Sequence, residues 1–139
     1  ATVGLAAEML GSAAEAFDRT LSYLKEREQF GKPIGSFQAL QHRAARLFMR
    51  LEMTRSAVLA AARAADEAPS ELPRLASLAK THASETFTLV ANEAIQMHGG
   101  IGLTDEHDIG FFLKRAKVAA ATLGDPAWHR ARWMDLAGF

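Results

Sequence analysis

Two short segments hold the residue types most able to bind a ligand: Arg27-Glu28-Gln29-Phe30-Gly31-Lys32-Pro33-Ile34-Gly35 and Gln96-Met97-His98-Gly99-Gly100-Ile101-Gly102. Arg27, Gln29, Gln38 and Gln96 supply donors suited to a phosphate or to the edge of an adenine, and glycines without a Cβ let a ligand approach the backbone closely. Taken by themselves, Arg27 and Lys32 are also explained as solvated charges at a helix C-terminus, where the dipole favours cations. The glycines are explained equally as helix terminators. Both readings can hold at once.

The remaining chemistry-bearing residues point less far. His98 and His107, with Asp105, Glu106 and Asp108, are metal-ligand types, but neighbouring residues at a helix start point in different directions, so no metal site is assigned. His42, His82 and His129 have no ligand spacing and are read as surface or interface side chains. Asp125 precedes Pro126, which reads as an N-cap with a first-turn proline rather than as a catalytic carboxylate. Trp128 and Trp133 read as packing or subunit-contact residues. Cysteine is absent, which removes disulfides and thiolate chemistry and fits a reducing compartment, the cytoplasm by default.

The elements that must position these residues follow from apolar spacing. Val3, Leu10, Ala14, Phe17, Leu21 and Leu24 share one face of a helix that extends to about Gln29. Two glycines and a proline between Phe30 and Gly35 break it, and Ser36 is a cap for the next. From Leu40, the positions Ala44, Leu47, Leu51, Thr54, Val58, Ala61 and Ala65 keep steps of three and four through a long helix ending near Asp66. Glu67 to Pro73 reverses the chain, with Ser70 as a possible cap.

A third helix carries one stripe at Ala76, Ala83, Phe87, Val90, Ala94 and Met97 and part of a second at Leu75, Leu78 and Leu89. Covered on two sides, it belongs at a bundle centre. Gly99, Gly100 and Gly102 end it, Thr104 or Asp105 can cap the next, and Ile109, Phe112, Leu113, Ala116 and Ala120 make a fourth stripe. No internal repeat and no alternating strand pattern is present. Short connections force antiparallel neighbours, so the expected fold is all-α: an antiparallel up-down four-helix bundle with a short C-terminal tail helix. In that topology the two glycine-bearing segments meet at one end, and Leu123-Gly124-Asp125 lies at the other.

Composition bounds the partners. With 139 residues, 49% of them apolar and 23% charged, the chain is one soluble globular domain, and 16 basic against 16 acidic residues leave no field that favours nucleic acid or an anionic membrane. No stretch approaches the roughly 20 apolar residues of a membrane span. Helical periodicity begins almost at Ala1, without an initiator Met, as in a piece of a longer protein.

In combination, Arg27-Glu28-Gln29-Phe30-Gly31 with Phe37-Gln38, then Gln96-Met97-His98-Gly99-Gly100-Ile101-Gly102 and Glu106-His107-Asp108, closely resemble the C-terminal helical domain of acyl-CoA dehydrogenases. The resemblance covers most of the chain. It implies that residues 1–139 are that domain alone, lacking the N-terminal helical and middle β-domains of enzymes that oxidise an acyl-CoA thioester at its α and β carbons with FAD.

In that family the two turns reach across a subunit interface to the ADP half of a neighbour's FAD. Carried over, Arg27 would contact the pyrophosphate, Gln29 and Phe30 would line the cofactor, Gln38 would hydrogen-bond it, and Gln96, Gly99 and Gly100 would fit the adenosine end. The family's usual catalytic glutamate lies just beyond the fourth helix, and Leu123 occupies that position here. Leucine has no titratable group. Some relatives place the base on the first helix, at a position aligning roughly with Ala1, which is also unable to act.

The resemblance therefore implies a bundle that serves oligomerisation and one wall of a shared FAD site, in a homo-oligomer or in a hetero-oligomer with another acyl-CoA dehydrogenase subunit. It implies no catalytic residue here, and an isolated domain that neither turns over acyl-CoA nor retains FAD. The competing reading is a helical interaction module that kept the bundle and lost the enzyme.

Overall fold

The computed structural model describes residues 1–104 and 106–139. It is built from α1 (Thr2–Glu26), a hairpin of β1 (Glu28–Gln29) and β2 (Lys32–Pro33), α2 (Gln38–Glu67), α3 (Leu72–His98), α4 (Ile109–Ala121) and α5 (Pro126–Ala137). Short 3-10 turns at Ile34–Ser36 and Gly99–Leu103 complete the connections. The expected all-α bundle with its tail helix is the observed fold.

α3 packs against α1, α2, α4 and α5. Its apolar stripe, Ala76, Ala83, Phe87, Val90, Ala94 and Met97, is buried throughout. The second buried side differs from expectation: Leu75 and Leu78 are half-buried and Leu89 is exposed, while Ser77, Ala79, Lys80, Ser84 and Ala91 are buried. The small side chains among these, Ser77, Ala79, Ser84 and Ala91, let neighbouring helices approach closely. On α1 the buried face is Ala6, Met9, Ala13, Ala16, Phe17, Thr20 and Leu24, so Val3, Leu10 and Leu21 flank the core, Ala14 is half-buried, and only Phe17 and Leu24 of the expected stripe lie within the core. In α2, Ala64 rather than Ala65 is buried, and Thr54 bonds across to Thr86, hydroxyl to hydroxyl, at 2.8 Å.

The first connection is more ordered than the sequence suggests. α1 ends at Glu26, not Gln29, because Glu28 and Gln29 pair with Pro33 and Lys32 in an antiparallel ladder. Phe30 and Gly31 both have positive φ, 55° and 76°, the two-residue turn whose twist suits paired strands. The Ile34 N–H then closes the hairpin on the Arg27 carbonyl at 2.8 Å.

Serine caps were expected at two starts and are found at neither. Ser36 lies within a 3-10 turn and Phe37 is the N-cap of α2, while Glu71 rather than Ser70 precedes α3. At α4 the Ile109 N–H donates to His107 Nδ1 at 3.2 Å, and the Thr104 hydroxyl is spent on the Ile101 carbonyl at 2.8 Å. The other expected cap, Asp105, lies outside the described residues. Asp125 does cap α5, its Oδ1 accepting from the Trp128 N–H at 2.8 Å.

Candidate functional site

Tyr23 joins the two glycine-bearing segments at one end of the bundle. Its carbonyl accepts from the Arg27 N–H at 2.8 Å, where the hairpin begins. Its hydroxyl donates to the His98 carbonyl at 3.2 Å, where α3 gives way to Gly99 and Gly100. Gly102 then sits where a Cβ would meet the Ile95 carbonyl at 2.7 Å, so the turn after α3 closes tightly only with glycine there.

Around this joint, Arg27, Gln29, Phe30, Gln38, Gln96, Gly99 and Gly100 are all exposed. Nothing lies within 4 Å of where a Cβ at Gly31, Gly99 or Gly100 would stand, so the backbone is open to an approaching group. Phe30, 90% exposed, meets Phe37 edge to face at 6.0 Å, and the Lys32 ammonium lies 4.4 Å from the Phe37 ring centre. An aromatic and cationic surface results. The exposed Gln29 side chain donates from Nε2 to the neighbouring Glu28 carbonyl at 2.8 Å.

Beside this surface runs a groove of about 590 Å³ lined by Glu15, Asp18, Arg19, Glu26, Glu106 and His107, among others. Its carboxylates repel phosphate. A phosphate-bearing group would find its donors at the hairpin, with its exposed guanidinium, rather than in the groove.

His98 is buried under this end, stacked on Tyr23 with ring centres 4.3 Å apart and 4.6 Å from the His107 ring. Its Nδ1 lies 2.7 Å from the Ala94 carbonyl and so carries the proton. Burial lowers its pKa most; the Ala94 bond opposes that shift and His107 adds to it.

The opposite end carries Leu123. Eighteen residues of α3 separate His98 from Lys80, about 27 Å along the helix axis. Leu123 has φ 60° and is half-exposed. Beneath it lie Lys80 and His129, 0% and 1% exposed. His129 corrects the expectation of a surface or interface histidine: Nε2 is 3.0 Å from the Leu123 carbonyl and Nδ1 3.2 Å from Ser77 Oγ. Burial lowers its pKa first, with Lys80 and Arg132 acting in the same direction against the Leu123 bond and Asp125. His42 is exposed, and half-buried His82 lines an α3–α5 groove of about 390 Å³ with Trp133. Trp128 is exposed but covers Gly124.

Sequence reading missed Lys80 altogether. Its signal was position: four residues after Ala76 and three before Ala83, it falls inside the apolar stripe of α3.

Comparison with known proteins identifies the family and the fold. The family model for the acyl-CoA dehydrogenase C-terminal domain matches residues 2–134. Acyl-CoA dehydrogenase IpdE2 of Mycolicibacterium smegmatis is 44% identical over 122 residues, covering 88% of this chain and 37% of the relative. The fold superposes on butyryl-CoA dehydrogenase of Megasphaera elsdenii with a TM-score of 0.94 at 30% identity, covering 98% of this chain and 35% of that one. The Tcur3481-Tcur3483 steroid ACAD G363A variant gives a TM-score of 0.91 at 38% identity, covering 98% of this chain and 37% of that one. This chain thus spans little more than a third of the length of these relatives.

Proposed function

The chain belongs to the acyl-CoA dehydrogenase family, and from that premise we propose that residues 1–139 are the C-terminal bundle of an FAD-dependent dehydrogenase acting on acyl-CoA thioesters. In this reading the N-terminal helical and middle β-domains belong to the rest of the protein, and the bundle contributes to oligomerisation and to the ADP side of a neighbouring subunit's FAD. FAD, when bound, accepts the hydride that leaves the β carbon of the acyl chain.

The observation that carries the proposal is the Tyr23 joint, which places the Arg27 hairpin and the Gln96–Gly100 turn at one end of the bundle. Arg27 offers a planar fork to two phosphate oxygens. Gln29 and Phe30 line the cofactor and Gln38 hydrogen-bonds it. Gln96 with Gly99 and Gly100 receives the adenosine, where the open backbone leaves room. The exposed position of these residues suits half of a shared site better than a pocket closed within one chain.

A subunit interface is supported by α2, where Phe48, Met49, Met53 and Leu59 are each more than half exposed on its outward side. Among the described residues no helix is long and apolar enough to cross a membrane. A cytoplasmic location is the reading that fits absent cysteine.

Leu123 favours a second form of the same proposal, a supporting subunit in a heteromeric dehydrogenase or an interaction module. It stands where the resemblance places the base and cannot take a proton, and Asp125 is committed to capping α5. A relative whose name joins two components, Tcur3481-Tcur3483, fits a heteromer. The test is reconstitution of the full-length protein, alone and with a dehydrogenase subunit. A yellow complex with flavin absorbance is expected, and a colourless assembly at saturating FAD would exclude the cofactor role.

A further inference from the structure

The Thr122–Asp125 turn is held from beneath by side chains whose polar atoms meet its carbonyls. Lys80 donates from Nζ to the Ala120 carbonyl at 3.1 Å, the Gly124 carbonyl at 3.0 Å and Ser84 Oγ at 3.2 Å. Each of its N–H bonds therefore has an acceptor, the condition under which a buried ammonium is tolerated. The Ala120 carbonyl lies in the last turn of α4, where the helix dipole also favours a cation.

His129 holds the residue between. A carbonyl accepts only from a protonated nitrogen, so the contact to Leu123 places the ring proton on Nε2. Nδ1 is then an acceptor, the Ser77 hydroxyl is its donor, and Ser77 Oγ in turn accepts from Arg132 at 3.2 Å. The hydrogen bonds form one directed chain from Arg132 through Ser77 and His129 to the Leu123 carbonyl.

Leu123 needs such support. Its φ of 60° is a left-handed conformation that a leucine has no local reason to adopt, unlike the Phe30-Gly31 turn with its paired strands. Its side chain gains little from burial, being half-exposed.

We propose that Lys80 and His129 are positioning residues for this turn: they hold the backbone at 123 left-handed and so fix the direction in which the side chain at that position leaves the bundle. The inference rests on the reading of 123 as the family's base position and deepens it. The scaffold for presenting a side chain is intact, while the side chain presented has no proton to exchange.

The test is the backbone conformation at 123, read by NMR in the full-length protein labelled at leucine. A positive φ brings the amide and α protons of one residue close together and gives a strong cross-peak between them. That peak is expected for Leu123 in the unmodified chain, lost in Lys80→Met and in His129→Leu, and kept in His129→Gln, which retains an N–H donor. Should Lys80→Met fail to fold, the His129 pair decides. Persistence of the strong peak in the variants that remove a donor overturns the proposal, even where the melting temperature falls, because the two residues would then merely fill the core. No flavin enters this measurement, so its failure is separate from a failure of FAD to bind.

Discussion

Tyr23 stacks on His98 with ring centres 4.3 Å apart and donates its hydroxyl to the His98 carbonyl at 3.2 Å, tying the end of α1 to the end of α3. Through the Tyr23 carbonyl the same residue anchors the start of the Arg27 hairpin. Tyr23 thus links the two turns directly, on top of the packing of α1 against α3 that brings their ends together.

Removing only the hydroxyl should separate these roles. Tyr23→Phe keeps the stack and loses one partly buried hydrogen bond, which is expected to cost about 1 kcal/mol. Tyr23→Ala should cost about 3 kcal/mol or more, since the ring is lost as well. Urea denaturation measures both, and equal costs would show that the ring contributes nothing.

Much of this was legible beforehand. Helix order, the central place of α3 and the Asp125-Pro126 start of α5 follow from periodicity and local capping chemistry, which act over a few residues. The hairpin was not legible, because a ladder of two residues per strand leaves no alternating pattern and Phe30 is not a residue that announces a positive φ. Ser36 and Ser70 offer good caps, but the N-cap stands one residue later in each case, at Phe37 and Glu71. His129 reads as a surface side chain by type and Lys80 draws no notice; the carbonyls that satisfy Lys80 and His129 come from 40 or more and 6 residues away, around a turn no sequence pattern reveals.

The buried histidines set a pH dependence. His98 and His129 both have pKa values lowered from about 6.5, chiefly by burial, so the unfolded chain binds more protons below that pH. Their contribution to stability is complete above pH 6.5 and is lost as pH falls below it toward their lowered values. Denaturation midpoints compared at pH 7.5 and pH 5 should therefore fall on acidification. His129→Gln should reduce the drop, and an unchanged drop would remove His129 from the account.

Asp125 offers a control for the chemistry. As the α5 cap, Asp125→Ala is expected to cost about 1 kcal/mol of stability. Dehydrogenation by the assembled protein, at a temperature where the variant is folded, should be unchanged. A loss of turnover by a hundredfold or more would instead mark Asp125 as the base that Leu123 cannot be.

In the function proposed above, the exposed turns of this bundle grip an FAD held mostly by a neighbour. Flavin titration of the assembled full-length protein carrying Arg27→Ala measures that grip. The lost charge-assisted bonds should weaken FAD binding about tenfold or more, with the melting temperature of the apoprotein unchanged because Arg27 is exposed. Undiminished FAD affinity in Arg27→Ala would contradict the claim.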